Sequence, residues 1–198
     1  MKRHLRHSGT KMGMLYRRNV PSQINKALHK RQIDAGFISS IESPKYKCTN
    51  LGIIANKAVY SVFVLKGKNK IDNESASSNR LAKILNLQGE VLIGDKALKY
   101  YLNGGEGIDL ATAWHTKTKL PFVFGRLCYT CHAKLIENIA KQFIRKPIKI
   151  PQYILKREAK KRDISPAQLL WYLKHIEYNM SHKSQKSLKL FLKKSKGL

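Results

Sequence analysis

The chain has 198 residues, of which 42% are hydrophobic, and this proportion excludes an intrinsically disordered protein. Its 39 Lys and Arg residues exceed its 12 Asp and Glu residues, and the formal charge of +27 favours an anionic partner, either nucleic acid, a membrane surface or an acidic small molecule. No apolar run approaches the roughly 18 residues of a membrane-spanning helix, and no apolar signal core follows the basic first residues. We therefore expect a cytoplasmic globular protein with no membrane partner.

Strand-like and helix-like patterns alternate along the first two thirds of the chain, which predicts an α/β fold. The pattern predicts a helix over residues 21–32, a strand over 33–38, and a pair of neighbouring strands over 51–55 and 59–65. It then predicts a strand at 90–93, a helix at 96–102, a helix capped by Asp109, and a strand at 120–127. Beyond His132 it predicts helices alone, at residues 133–143, 151–161, 165–178 and 183–194.

The central block of the chain lies between two strongly apolar segments, residues 59–65 and 120–127. This arrangement predicts a second lobe that is inserted between two crossover strands. We expect lobe I to comprise residues 1–65 and 124–198, and lobe II to comprise residues 66–123. A ligand would then bind in the cleft between the lobes, where pockets are common.

Two segments place a serine hydroxyl beside a buried strand. The predicted strand at residues 33–38 stops abruptly in Ser39 and Ser40, at the rim of the sheet where ligands bind in open α/β folds. A simple serine-rich turn explains the same residues. Ser61 lies within the apolar run 59–65, where its hydroxyl either bonds to the backbone or has a functional role.

Three more serines stand at a predicted helix start, at Ser75, Ser77 and Ser78. We expect Ser77 or Ser78 to be the N-cap, because helical spacing of apolar residues begins shortly afterwards. The free N–H groups and the dipole of a helix N-terminus favour a carboxylate or a phosphate, and serine hydroxyls add donors. Plain capping explains the segment equally well.

The three cysteines, Cys48, Cys128 and Cys131, are odd in number and predict buried or half-buried free thiols rather than a disulfide framework. Residues 128–132 match the haem-attachment pattern C-x-x-C-H, but that chemistry requires an export signal, which is not visible. A structural zinc site would need a second ligand pair at finger-like spacing, which the sequence lacks. We expect neither a metal nor a cofactor.

Four segments, in this order, resemble the chorismate dehydratase family of the futalosine route to menaquinone. The segment IDAGFISSIE at residues 33–42 resembles the signature D-x-G-x-I-P-S-I-E, and LGII at 51–54 with VYSV at 59–62 resembles the strand pair G-I…V-x-S-V. The segment SASS at residues 75–78 resembles S-R-T-S. Residues 91–98, 109–114 and 120–124 resemble L-I-G-D-x-A-L…D-L-x-x-x-W…L-P-F-V-F.

The resemblance implies a two-lobed fold like that of the type 2 periplasmic binding proteins, with a helical C-terminal part, used as a cytoplasmic lyase. It implies dehydration of chorismate to 3-[(1-carboxyvinyl)oxy]benzoate without a metal or organic cofactor, with the substrate's own enolpyruvyl carboxylate as the base. By the matching motifs, Ser61 takes a catalytic position. The cleft-lining positions are Ser39, Ser40, Ser75, Ser77 and Ser78.

Two features depart from the family pattern. The family's first strand, which ends in Asn-x-x-Pro, is not found ahead of Pro21, and Ala76 stands where the family has arginine in S-R-T-S. Two alternatives to the lyase therefore remain: a non-catalytic binder of a small dicarboxylate on the same fold, and a nucleic-acid-binding protein that uses the basic residues 183–196. The resemblance itself implies no nucleic-acid partner.

Overall fold

The computed structural model describes residues 19–145 and 149–197. The helices are α1 (Pro21–His29), α2 (Ala76–Ile84), α3 (Gly94–Leu102), α4 (Leu110–Thr118), α5 (Ala133–Arg145), α6 (Gln152–Lys161), α7 (Pro166–Leu173) and α8 (His182–Ser195), with a 3₁₀ helix at Ser40–Lys45. The strands are β1 (Ala35–Ser39), β2 (Lys47–Ala55), β3 (Val62–Leu65), β4 (Glu90–Ile93), β5 (Ile108–Asp109), β6 (Phe122–Tyr129) and β7 (Ile176–Asn179). The fold is therefore mixed α/β.

The strands form two antiparallel sheets, one in the order β1-β6-β2-β7 and the other in the order β4-β3-β5. The prediction that residues 51–55 and 59–65 pair with each other is therefore wrong. The carboxylate of Asp109 accepts the backbone N–H groups of Val59 and Tyr60 at 3.0 and 2.8 Å. Tyr60 also has a left-handed φ of 58°. These features turn the chain out of the first sheet and into the second.

The C-terminal third is not made of helices alone, as the sequence predicted. The predicted helix over residues 165–178 ends at Leu173, and β7 follows it and pairs with the edge of β2. In β7 half-buried and exposed residues alternate, which is the two-residue period of a strand on a sheet edge. The segment is only four residues long, and this is too short for its period to stand out beside a helix.

Helices α2, α4 and α7 each begin after a Ser or Asp N-cap, and one of these caps is a different residue from the predicted one. Asp109 caps α4 by accepting the N–H of Thr112, as the sequence predicted. Ser165 caps α7 in a capping box with Gln168. The N-cap of α2 is Ser75 rather than Ser77 or Ser78. Ser75 has an extended φ and its hydroxyl accepts the N–H three residues ahead, which is the geometry of an N-cap.

The largest hydrophobic cluster contains residues from both sheets and from α8. It includes Val64 and Val91 of the second sheet, Phe122 and Val123 of the first, and Phe191 of α8. At its centre the indole N–H of Trp114 donates to the hydroxyl of Ser187 at 2.9 Å, and both residues are fully buried. Helix α8 therefore joins the two sheets through one shared core.

Cys48 and Cys128 form a disulfide. They stand directly opposite each other in the antiparallel β2–β6 ladder, which brings their side chains to the same face of the sheet. The expectation of free thiols is therefore wrong for this pair. Cys131 is free as expected, but it is exposed rather than buried or half-buried. Within the described residues, the helices are too short or too polar to cross a membrane.

Candidate functional site

A small cavity of about 190 Å³ lies between the two sheets. Its volume is below the roughly 300–1,000 Å³ of pockets for drug-sized ligands, which favours a small molecule. Apolar side chains of both sheets form part of its wall, among them Phe37, Ile53, Ile93 and Phe124. Five hydroxyl side chains complete it: Ser39, Ser61, Ser75, Ser78 and Tyr172.

Three helices begin at this cavity. Pro21 opens α1, Ser75 caps α2 and Gly94 opens α3, and all three residues line the wall. Each helix N-terminus carries the equivalent of about half a positive charge. Among the described residues that line the cavity, none has a formally charged side chain. An anion bound here would therefore be stabilised by helix dipoles and hydroxyl groups.

Ser61 directly precedes β3 and is held in place from two sides. Its backbone carbonyl accepts the N–H of Gly94 at 2.8 Å, and its hydroxyl lies 3.0 Å from the phenol oxygen of Tyr172. Burial raises the pKa of the Tyr172 phenol, so the phenol keeps its proton at neutral pH. The pair therefore presents two neutral hydroxyl groups, each able to donate or accept a hydrogen bond.

Ser39, at the end of β1, is held by α1. The side-chain amide of Asn25 donates to the Ser39 hydroxyl at 3.1 Å, and its carbonyl oxygen accepts the Ser39 backbone N–H at 3.0 Å. Both polar groups of Asn25 are thus used to orient one serine. Asn25 was not predicted as a site residue. In the sequence it is only a polar residue of an amphipathic helix, and that position does not show that it orients Ser39.

The four other predicted serines divide into two pairs. Ser75 and Ser78 line the cavity, and the Ser75 hydroxyl donates to that of Ser78 at 2.8 Å while it accepts the Ser78 N–H. Ser40 and Ser77 are fully buried beside it, with their hydroxyl oxygens 3.0 Å apart. The Ser77 hydroxyl also accepts the N–H of Ile41, so this second pair joins the 3₁₀ helix to α2.

Comparison with known proteins agrees with the resemblance read from the motifs. A family model described as menaquinone biosynthesis matches residues 83–196. A chorismate dehydratase of Campylobacter jejuni is 47% identical over 203 aligned residues, which cover 100% of this chain and 91% of that protein. The chain belongs to the chorismate dehydratase family. A second member, the chorismate dehydratase of Thermus thermophilus, is 24% identical over 226 aligned residues, covering 87% of this chain and 83% of that protein.

The fold itself also has a solved counterpart. A crystal structure of a protein from Archaeoglobus fulgidus superposes with a TM-score of 0.62, covering 90% of this chain and 84% of that protein at 12% sequence identity. A likeness at this identity concerns the fold alone. It agrees with the mixed α/β arrangement of antiparallel sheets and helices described above.

In this member of the chorismate dehydratase family, the C-terminal part of the chain contributes Tyr172 of α7 and Ile176 of β7 to the cavity wall. Arg162 forms an ion pair with Asp95 at 2.8 Å, and the ring of Trp171 packs against that of Tyr60 with centroids 4.7 Å apart. The first contact ties the end of α6 to α3, and the second ties α7 to the residue before Ser61, which brings Tyr172 to Ser61. The sequence predicted a helix here, over residues 165–178, but helical periodicity alone did not show which of its side chains would reach a cavity formed by distant strands.

Proposed function

We propose that the chain is a chorismate dehydratase, a hydro-lyase that converts chorismate to 3-[(1-carboxyvinyl)oxy]benzoate and water in menaquinone biosynthesis. The observation that carries this proposal is the hydroxyl-lined cavity at three helix N-termini, in a chain 47% identical to a named chorismate dehydratase. Chorismate is small and carries two carboxylates, which match helix N-termini that stabilise negative charge. The net charge of +27 adds long-range attraction for such a dianion.

The reaction removes one ring proton and the ring hydroxyl, which leave together as water without any change of net oxidation state. Among the described residues that line the cavity, none offers a carboxylate or an imidazole that would accept the ring proton. This supports the substrate's own enolpyruvyl carboxylate as the base. Closure of a small, largely apolar cavity around the substrate strengthens each hydrogen bond within it.

We assign roles to the serines within this proposal. Ser61, together with Tyr172, donates a hydrogen bond to the reacting substrate. Ser39, Ser75 and Ser78 bind it from the cavity wall. The positions of Ser40 and Ser77 support a structural role for them, since their hydroxyls are fully buried and bonded to each other.

The two-lobed arrangement like that of the type 2 periplasmic binding proteins also belongs to the proposal. A cavity between two sheets supports it. The pairing of β3 with β4 and β5 favours moving the boundary of lobe II, first set at residues 66–123, back to include residues 62–65. The hydrogen bond between Trp114 and Ser187 in the shared core restrains any opening of the lobes. A cytoplasmic location stays a prediction.

The proposal is tested by incubating the purified full chain with chorismate and following the product by liquid chromatography and proton NMR. We expect 3-[(1-carboxyvinyl)oxy]benzoate to accumulate, and to accumulate more slowly with Ser61→Ala. Saturable chorismate binding without product would support the non-catalytic binder instead. Binding to unrelated polyanions that weakens steeply with salt, and that is lost when lysines of residues 183–196 are replaced, would support the nucleic-acid alternative.

A further inference from the structure

The proposed function assigns no role to Cys131 and His132, the last two residues of the C-x-x-C-H motif. Cys128 is tied into the disulfide with Cys48, whereas Cys131 is a free, exposed thiol and His132 follows it. Neither Cys131 nor His132 is among the described residues that line the cavity. The sequence offered no second ligand pair at finger-like spacing, and for this reason it predicted no metal.

The fold brings a third potential ligand, Asp34, to Cys131 from a position 97 residues earlier in the chain. Strands β1 and β6 are antiparallel, and Ala35 stands opposite Tyr129, so the residues just before β1 adjoin those just after β6. The backbone N–H of Thr130 donates to the carbonyl of Asp34 at 2.9 Å, which holds the two loops together. The Cys131 thiol in turn donates to the Asp34 carboxylate at 2.9 Å.

We propose that Asp34, Cys131 and His132 bind one zinc ion. One sulfur, one nitrogen and one oxygen ligand atom lie within 4.8 Å of one another, and all three residues are exposed to solvent. In tetrahedral zinc coordination, with bonds of about 2.0–2.3 Å, neighbouring ligand atoms are roughly 3.3–3.7 Å apart. Side-chain adjustments of about 1 Å therefore bring this set to the geometry that zinc requires, with water as the fourth ligand.

The donor set decides which metal fits. A thiolate with an imidazole favours zinc over magnesium or calcium, which prefer oxygen ligands only. The guanidinium of Arg31 lies close enough to Cys131 to interact with it electrostatically. This charge opposes a cation, so we expect micromolar rather than nanomolar affinity.

The position of the site indicates a structural role for the ion. Asp34 precedes β1 and Ser39 ends it, so roughly 16 Å of strand separates the metal ligands from the cavity wall. Zinc at this position would clamp the loop before β1 to the loop after β6. The inference is thus independent of the proposed dehydration.

The test is zinc binding by the purified full chain, measured by competition with a chromogenic chelator and by cobalt substitution. We expect one zinc ion per chain, and with cobalt a thiolate-to-metal charge-transfer absorption in the near ultraviolet. Cys131→Ser is expected to abolish that absorption, and Cys131→Ser and Asp34→Asn are each expected to weaken zinc binding at least tenfold.

Two matched controls distinguish zinc binding at this site from zinc binding by other histidines of the chain. His182→Gln removes an exposed histidine at the start of α8. The double change His4→Gln with His7→Gln removes the two histidines of the N-terminal segment. Both controls are expected to leave zinc affinity within twofold of the unaltered chain. The proposal is overturned if the unaltered chain takes up no zinc at 100 µM metal (about a hundredfold above a micromolar Kd), if Cys131→Ser binds as well as the unaltered chain, or if binding is lost with the N-terminal pair.

Discussion

The phenol oxygen of Tyr172 lies 3.0 Å from the hydroxyl oxygen of Ser61, although 111 residues separate the two in the chain. Tyr172 comes from the last turn of α7 and Ser61 from the residue before β3, so the cavity wall is completed only when the C-terminal helices pack onto the second sheet. Burial raises the pKa of the phenol and keeps it protonated. The pair is therefore a neutral donor group at the site where we propose that substrate binds.

Replacement of Tyr172 by Phe tests this group directly. It leaves the ring in place but removes a hydroxyl that, in our proposal, acts with Ser61 as a donor to the substrate, and loss of a hydrogen bond to a charged group costs about 1.5–3 kcal/mol. We expect kcat/KM for chorismate to fall about tenfold or more, since each 1.4 kcal/mol corresponds to tenfold. Steady-state kinetics on the purified variant measure it.

The control for this variant is Tyr153→Phe, because Tyr153 lies on the neighbouring helix α6 and is 63% exposed. It is expected to leave both kcat and KM unchanged. Kinetics for Tyr172→Phe that match those of the unaltered enzyme, or an equal loss in both variants, would remove Tyr172 from the proposed site.

The second prediction concerns the helix N-terminus of α2 at the cavity. A second serine N-cap of nearly the same geometry, at the start of α8, serves as its control. Ser75 caps α2 at the cavity and Ser181 caps α8 elsewhere, and each hydroxyl also contacts that of the serine three residues ahead, at 2.8 and 2.9 Å. Ser75→Ala and Ser181→Ala should each lower the free energy of unfolding by about 1 kcal/mol. Only Ser75→Ala should raise the KM for chorismate, several-fold, because only its cap lines the cavity where we propose that chorismate binds.

Chemical denaturation and steady-state kinetics on the two variants separate stability from binding. If both alanine variants raised KM to the same extent, the effect would reflect general loss of stability, and the proposed anion site at α2 would be wrong.

The sequence predicted most elements of this fold but not their pairing. Ser39, Ser61, Ser75 and Ser78 were named from motifs and line one cavity. Local patterns contain that information, because strand ends and helix starts carry their own side-chain signals. Tyr172 was missed because its role depends on a contact across 111 residues, which no local period encodes. The pairing of residues 59–65 was mispredicted because a side chain 49 or 50 positions later, Asp109, turns the chain there.

The third prediction concerns the hydrogen bond from Trp114 to Ser187, through which α8 contributes to the stability of the core shared by the two sheets. Ser187→Ala leaves a fully buried indole N–H without its acceptor, and we expect the free energy of unfolding to fall by about 1–3 kcal/mol. For a chain of this size that corresponds to a melting temperature lower by roughly 2–12 °C. Thermal denaturation followed by circular dichroism measures the change.

Ser195→Ala, on the same helix, is the matched control. The Ser195 hydroxyl donates at 2.8 Å to the carbonyl of Phe191 within its own helix and is only partly buried. Its loss should change stability by less than about 0.5 kcal/mol. Equal effects of the two substitutions would mean that the contact between α4 and α8 contributes nothing specific.

The disulfide between Cys48 and Cys128 closes a loop with a sequence separation of 80 residues between two adjacent strands. In the chain-entropy description, a cross-link of this span raises the free energy of the unfolded state by about 4.5 kcal/mol, because it removes conformational entropy. We expect reduction to lower the free energy of unfolding by about 2–4 kcal/mol, measured by urea denaturation with and without reductant. Cys131→Ser keeps the bond, so in buffer free of zinc it should match the unaltered chain without reductant and lose the same stability with it. If reductant left the unaltered chain as stable as before, the two thiols would not be joined in the folded protein.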